Sequence, residues 1–357
     1  MQQERINRIL EKLGEMKLDY MIVSDPVSIF YMTGIDIEPG ERLYALLIDK
    51  EGALKLFINQ LFPLDERTDM EMVWYSDTDD PIAKMAMELS ETSVIGIDKN
   101  WPSSFLLQLM KALPSAVYKN GSLAIDGVRM LKDETEKEKM RVASLLNDRV
   151  MEKIQLTLQE GDSETEIIGR LQTAFEEEGA CFSFHPIICF GENAANPHHE
   201  SGDRRLIPGD AVILDIGGLK NHYCSDMTRT VFFKSMPEGA EKIYNLVKEA
   251  NLAAIKKVKP GVRFCDVDSA ARTVIEDGGY GPYFLHRTGH SIGLEVHDYG
   301  DVSSINEDVL EAGMIFSIEP GIYLEGQFGV RIEDLVLVTE DGCEVLNKVS
   351  KEMRIIE

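Results

Sequence analysis

Residues 208–233 read PGDAVILDIGGLKNHYCSDMTRTVFF, and the rest of the chain is organised around them. AVILDIGG runs apolar, as a buried strand does, until Asp215 interrupts it. The chain reverses through GLKNHY, and MTRTVFF returns with the β-branched and aromatic residues that favour a pleated surface. Asp226 stands at the start of that return. An isolated ionised carboxylate is too costly to leave in a dry interior, so something positive must meet Asp215 and Asp226. No Lys lies close enough in sequence to be an obvious partner, and strand alternation puts Arg229 on the face opposite Asp226. A bound metal ion is therefore a serious candidate.

The chain has 357 residues, enough for two domains each with its own core. Its 44% hydrophobic and 28% charged content is that of an ordinary globular protein. A net charge of -25 argues against nucleic acid or an anionic membrane surface as partner, since both demand a basic footprint. The acidity reads first as solubility, with some carboxylates left over as metal ligands. MQQERINRIL opens as a polar helix and not as a signal peptide, and no apolar stretch is long enough to span a bilayer. Cys181, Cys189, Cys224, Cys265 and Cys343 show no C-x-x-C spacing, which predicts free thiols and a cytoplasmic location.

Taken in order, residues 2–18 carry apolar residues at helical spacing, and strands and helices then alternate to about residue 119. That alternation predicts a small α/β domain over 1–125. From about Leu123 the pattern changes, and a long amphipathic helix with acids in its first turn opens a second domain over 126–357. SETE (163–166) is a capping box for the next helix. The strand-like CFSFHPIICF follows, with His185 expected in the core or in a strand. Further on come two helices near 238–258 and 265–277. All seven histidines fall between His185 and His297, which puts any chemistry in this second part.

A second hairpin, AGMIFSIEPGIYLEGQFGVRIEDLVLV, repeats the plan of the first: an apolar strand interrupted by an acid, a turn, and a return opening with another acid. Asp215 and Asp226 correspond to Glu319 and Glu333, and Arg331 lies beside Glu333. This predicts two half-domains, each giving two carboxylates to a shared cleft. Four such acids and a histidine-rich loop make an oxygen-rich site with at least one nitrogen ligand, suited to Mn, Fe, Co or Zn. More acids than one ion needs suggests two ions about 3.5–4 Å apart.

NPHH, LDIGG, HYCSDMTRT, TGHSIGLEVHD, IEPGIY and GVRIEDLVLV resemble, in order, the motif series of the pita-bread metallopeptidases. YMTGI in the leading α/β domain is similar to the creatinase-like N-terminal domain of the prolidase and aminopeptidase P branch. The resemblance implies an α/β N-terminal domain followed by an α+β pita-bread catalytic domain with an internal pseudo-twofold repeat. It implies Asp215, Asp226, His290, Glu319 and Glu333 as metal ligands, with Asp226 and Glu333 bridging two ions, manganese being the first guess. It further implies Glu319 as general base toward a metal-bridging hydroxide, His198 and His297 as catalytic histidines, Arg331 as a catalytic arginine just outside the metal ligands and His286 as a substrate-pocket residue. His199 is expected to face solvent, with His222 and Tyr223 in the hairpin turn.

The activity so implied is hydrolysis of the bond before proline, most simply in Xaa-Pro dipeptides, with Xaa-Pro aminopeptidase action on longer peptides as the close alternative. A non-catalytic binding protein of the same fold is the alternative from another class, but every ligand position here holds a competent residue. A homodimer is implied by the resemblance alone. The loop IDIEPGERLY is expected to close over a cleft, bringing Arg42 to a dipeptide's carboxylate.

Overall fold

The computed structural model describes residues 2–65 and 67–357, and the chain divides into two compact units, residues 1–128 and 129–357. Met1, just before the helix expected over 2–18, lies outside the described residues. In the first unit the elements run α1 (Gln3–Met16), β1 (Tyr20–Val23), α2 (Pro26–Thr33), β2 (Ala45–Asp49), β3 (Leu54–Asn59), β4 (Glu71–Tyr75), α3 (Pro81–Met87), β5 (Val94–Ile97), α4 (Ser103–Ala112) and β6 (Val117–Asn120), with α5 (Leu123–Met130) at its end. The six strands form one mixed sheet in the order β4-β3-β2-β1-β5-β6. β2 and β3 form an antiparallel hairpin, while β1–β5, β5–β6 and β3–β4 are parallel. Ile22, Leu47, Phe57, Ile95, Trp101 and Leu109 fill the core on one side of it.

The second unit holds α6 (Glu134–Gln155), α7 (Glu164–Glu177), β7 (Cys181–Phe182), β8 (Ile187–Phe190), β9 (Ala211–Ile216), β10 (Gly218–Lys220), β11 (Tyr223–Cys224), β12 (Met227–Phe233), α8 (Ala240–Lys257) and α9 (Phe264–Asp277). It continues through β13 (Gly289–His290), β14 (Asp301–Val302), β15 (Ile315–Ile318), β16 (Gly321–Leu324), β17 (Phe328–Arg331), β18 (Asp334–Val338), β19 (Cys343–Val345) and β20 (Ile355–Ile356). Reciprocal capping boxes start α6 (Asp133 with Glu136) and α7 (Ser163 with Glu166). Leu146, Val150, Ile154, Leu171 and Phe175 of this helix pair bury against Ile188, Val212, Leu214 and Val231 of the β20-β12-β9-β8 sheet. Tyr244, Val247, Ala271 and Ile275 of α8 and α9 bury in the same way against Phe316, Ile322, Val330 and Val336. Each large aliphatic or aromatic side chain so buried contributes about 1.5–3 kcal/mol, so each half has a helix layer holding its own hairpin.

The repeat extends to the helices. Asn147 on α6 donates to the Ile216 carbonyl, and Asn251 on α8 donates to the Ile318 carbonyl, each at 2.9 Å. The two asparagines are spaced as Asp215 is from Glu319.

The hairpins themselves are broken, which strand alternation does not foresee. The second one is two ladders: β15 pairs with β18, and β16 pairs with β17. The chain leaves the strand at Glu319–Pro320 and again at Ile332–Glu333, and Pro320 has no N–H to give to a ladder. The first hairpin pairs β9 with β12 and then breaks at Gly217 and at Ser225–Asp226. A Cβ at Gly217 would overlap the Ser225 carbonyl oxygen, so only glycine permits that crossing. CFSFHPIICF is also two strands and not one, interrupted before Ile187 where Pro186 removes a donor. His185 therefore sits exposed in the break and not in a strand or the core.

Among the described residues no helix is long and apolar enough to cross a membrane.

Candidate active site

The breaks in the hairpins are where the acids emerge. Asp226 precedes β12, Glu319 follows β15 and Glu333 precedes β18, while Asp215 projects from within β9. His290 joins them from β13, which is bridged to β15 through Ser291 and Phe316. A Cβ at Gly289 would overlap the Ser317 carbonyl oxygen, so glycine at that position lets β13 lie against β15. The result is a cavity of about 440 Å³ in the second unit whose lining includes Asp215, Asp226, His290, Glu319, Glu333, His198, His286, His297 and Arg331. Phe184, Ile187, Pro197 and Val296 give it an apolar wall.

Within the cluster, one atom from each of Asp226, His290 and Glu333 lies within 4.8 Å of the others. His290 Nε2 is 3.6 Å from Asp226 Oδ2 and 3.5 Å from Glu319 Oε1. The His290 Nδ1 faces the Ser291 carbonyl at 3.3 Å, which places the proton on Nδ1 and leaves Nε2 as an acceptor. Ser317 Oγ donates to Glu319 Oε1 at 3.2 Å and accepts from the His290 amide at 3.0 Å, tying these two residues together. Thr228 Oγ1 donates to Glu333 Oε2 at 2.8 Å.

Arg331 supplies part of the positive charge that the acids require. It lies near Glu333 in sequence, yet its Nη2 donates to Asp215 Oδ2 at 2.6 Å. Its Nη1 donates to Tyr323 Oη at 3.0 Å, and its Nε reaches Thr228 Oγ1 at 3.2 Å. Tyr323 Oη in turn donates to His286 Nε2 at 2.8 Å, because the His286 Nδ1 proton is directed to the Arg287 carbonyl at 2.7 Å. Burial would draw the Arg331 proton off, but the tyrosine and the carboxylate beside it hold the guanidinium charged, well above its ordinary range.

The remaining electrostatics is that of too much negative charge in too little water. Burial, then Glu333 and Asp215, push the Asp226 carboxyl well above the usual carboxylate range. Glu333 is pushed up likewise by burial, then by Glu319 and Asp215. Burial lifts Glu319 to about 7 and lowers His290 to about 3 and His286 to about 4, so both imidazoles are neutral. Asp215 Oδ1, Asp226 Oδ1 and Glu333 Oε1 are all buried without a hydrogen-bond partner. A bare buried polar atom costs about 1–3 kcal/mol, more when charged. Unpartnered carboxylate oxygens grouped around a bare imidazole nitrogen are the donor set that divalent cations take, and the residues fit such a group.

Other expected residues fall differently. His297 stacks edge-on to His290 with ring centroids 4.3 Å apart. His198 is exposed at the cavity, its amide held by Asn196 Oδ1 at 3.1 Å. His199 does not face solvent freely: it is half-buried, with Nε2 3.0 Å from Glu164 Oε2. Arg42 belongs to the first unit, where its Nε and Nη2 engage both oxygens of Asp77 at 2.9 and 3.0 Å. Tyr323 went unassigned in the sequence. The signal available there is a tyrosine in a strand run, since a buried phenol needs a partner.

A pseudo-twofold cleft that gathers acids and neutral imidazoles, in a chain that opens with a separate α/β unit, defines a metal-dependent hydrolase. The chain belongs to metallopeptidase family M24, whose model matches residues 138–340, and residues 5–131 match the creatinase/prolidase N-terminal domain. Its architecture is the α/β domain plus pita-bread catalytic domain expected from the motifs. An uncharacterized peptidase of Staphylococcus aureus is 39% identical over 97% of this chain and 99% of its own length. A dipeptidase from Pyrococcus horikoshii is 36% identical with a TM-score of 0.93, covering 99% of this chain and 100% of its own. A prolidase from Thermococcus sibiricus is 34% identical with a TM-score of 0.93, covering 100% of this chain and 99% of its own.

Proposed function

We propose that this metallopeptidase is an Xaa-Pro dipeptidase. The observation that carries the reading is the grouping of Asp215, Asp226, His290, Glu319 and Glu333 in one cavity, with three buried carboxylate oxygens left without partners. The prolidase and dipeptidase relatives support the substrate class. Asp215, Asp226, His290, Glu319 and Glu333 would hold the divalent ions between them. Bound divalent ions, manganese by our reading, would polarise the scissile carbonyl and lower the pKa of a water molecule.

The chain's own residues then have separable tasks. Glu319, linked to Ser317, takes the proton from the attacking water. His198 contacts the substrate at the scissile bond, and neutral His297 donates toward the developing oxyanion. Arg331 fixes Asp215 and, through Tyr323, His286 at the pocket wall. The imide bond before proline carries no N–H, so a site that grips the carbonyl and the free amine suits it. Arg42 is proposed to meet the dipeptide carboxylate, which would then take the place of Asp77 on the guanidinium. Free cysteines fit a cytoplasmic enzyme, and the family resemblance supports a homodimer.

The test is to load the protein with manganese and compare Gly-Pro-type dipeptides with X-Pro-Y tripeptides. Dipeptide hydrolysis should dominate. Equal or faster tripeptide cleavage would make the protein an aminopeptidase instead.

A further inference from the structure

Glu164 lies outside the cavity and belongs to none of the motifs that carry the family resemblance, yet it is fully buried on the first turn of α7. Both of its oxygens are saturated. Oε1 accepts from the Phe190 amide and from Asn193 Nδ2, each at 2.9 Å. Oε2 accepts from the Gly202 amide at 2.8 Å and from His199 Nε2 at 3.0 Å. These four donors are spread along residues 190–202, the segment that carries His198 into the cavity. Within that segment the backbone links are short, Asn196 N to the Asn193 carbonyl and His199 N to the Asn196 carbonyl. Its far end is also tied by Thr165 N to the Gly202 carbonyl and by Ser201 Oγ, which accepts from the Ile188 amide and donates to the Ile188 carbonyl. The carboxylate is thus the hub on which the loop is folded.

The other half of the molecule holds its histidine segment in a similar way. Asp268, fully buried on α9, accepts from Thr288 Oγ1 at 2.7 Å and from Arg272, whose Nη2 also donates to the His286 carbonyl at 3.1 Å. Two helices at equivalent places in the repeat each use one buried acid to fix a loop bearing a cavity histidine.

We infer that Glu164, acting through His199 and the amides of residues 190 and 202, is the positioning residue for His198 in the reaction. The inference rests on the proposed role of His198. Glu164 touches no reacting atom; it sets where His198 stands, and a displacement of about 1 Å at a reacting centre can cost about 100-fold in rate. Glutamine keeps the size of the side chain but presents an NH2 where two donors already point, so the loop must shift.

The experiment measures kcat, KM and bound metal for Glu164→Gln, His198→Ala and the double variant in manganese-loaded enzyme well below its Tm. Glu164→Gln should lower kcat at least tenfold at unchanged metal stoichiometry, and it should lose that effect in the His198→Ala background, where the double variant matches His198→Ala within about twofold. Unchanged kcat in Glu164→Gln, or a loss that persists in full without His198, would overturn the inference. Full activity in His198→Ala would instead overturn the reading of His198, and the anchor with it. Should Glu164→Gln not fold, His199→Ala removes a single donor from a half-buried site. A smaller kcat loss that again vanishes without His198 supports the anchor, and an additive one refutes it.

Discussion

Glu333 has one oxygen on Thr228 and the other bare, and it is surrounded by the charges of Glu319 and Asp215. In metal-free protein this is a destabilising arrangement, so Glu333→Gln should raise the apo Tm by a few degrees, while the same change should abolish the Tm rise that manganese gives the wild type. Thermal melts with and without manganese decide it; an apo Tm that falls would mean the charge repulsion has been misjudged. Arg331 makes the opposite case. Removing it strands Asp215 beside the other acids, and breaking such a buried pair costs about 3–5 kcal/mol. Arg331→Met should therefore lose stability by that order in urea unfolding, even before any metal is added. The candidate ligands could be read from sequence because an acid inside an apolar run is anomalous by composition. The Arg331–Asp215 pair could not, because the two residues lie on different hairpins and alternation within one strand says nothing about contacts across the cleft. Glu164 was hidden for another reason: an acid in a first helical turn is already explained by the helix dipole.

Helices and strands were legible to different degrees. Helix starts carry their own chemistry in Asp133, Ser163 and the first-turn acids, and α6 and α7 begin where those residues put them. Strand continuity is not written so locally. Pro186 and Pro320 mark two breaks, but the one at Ser225–Asp226 depends on the close approach of Gly217 to the opposite strand, a tertiary fact. The attachment of α6 to the C-terminal segment is likewise tertiary. Asp148 on α6 accepts from the Lys348 amide at 2.8 Å, and burial pushes its carboxyl up to about 6. A raised folded-state pKa means this group's contribution to stability is complete below about pH 4 and is lost as pH rises through 6. Asp148→Asn should remove that loss. The stability difference between variant and wild type should grow by about 2–3 kcal/mol from pH 4 to pH 7 in the variant's favour. A difference flat with pH in denaturant titrations would refute it.

For the molecule as a whole, the net charge of -25 and the buried acids make a cation a structural component as well as a chemical one. Chelation with EDTA should abolish peptidase activity and lower Tm, and manganese at about 100 times its Kd should restore about 2.7 kcal/mol. Peptidase activity that survives complete metal removal would refute the mechanism. At this scale the sequence disclosed the two-domain plan and the duplicated hairpins, while the buried helix acids Glu164 and Asp268 that bind the loops carrying His198 and His286 are contacts made only in the folded chain. If the proposed ligands are right, their division between two half-domains also has a kinetic consequence. Asp215 and Asp226 come from one half, and His290, Glu319 and Glu333 from the other, so the ion finds its complete set of donors only after both halves have folded and docked. The transition state for folding then has little of the site formed. Manganese should slow unfolding in proportion to the stability it adds and leave the refolding rate nearly unchanged. Stopped-flow circular dichroism is the suitable probe, since both tryptophans, Trp74 and Trp101, report on the other unit. A metal-dependent refolding rate would place formation of the site early. Otherwise the ion acts as a latch on a finished fold, and beyond its chemistry it lengthens the lifetime of the folded enzyme.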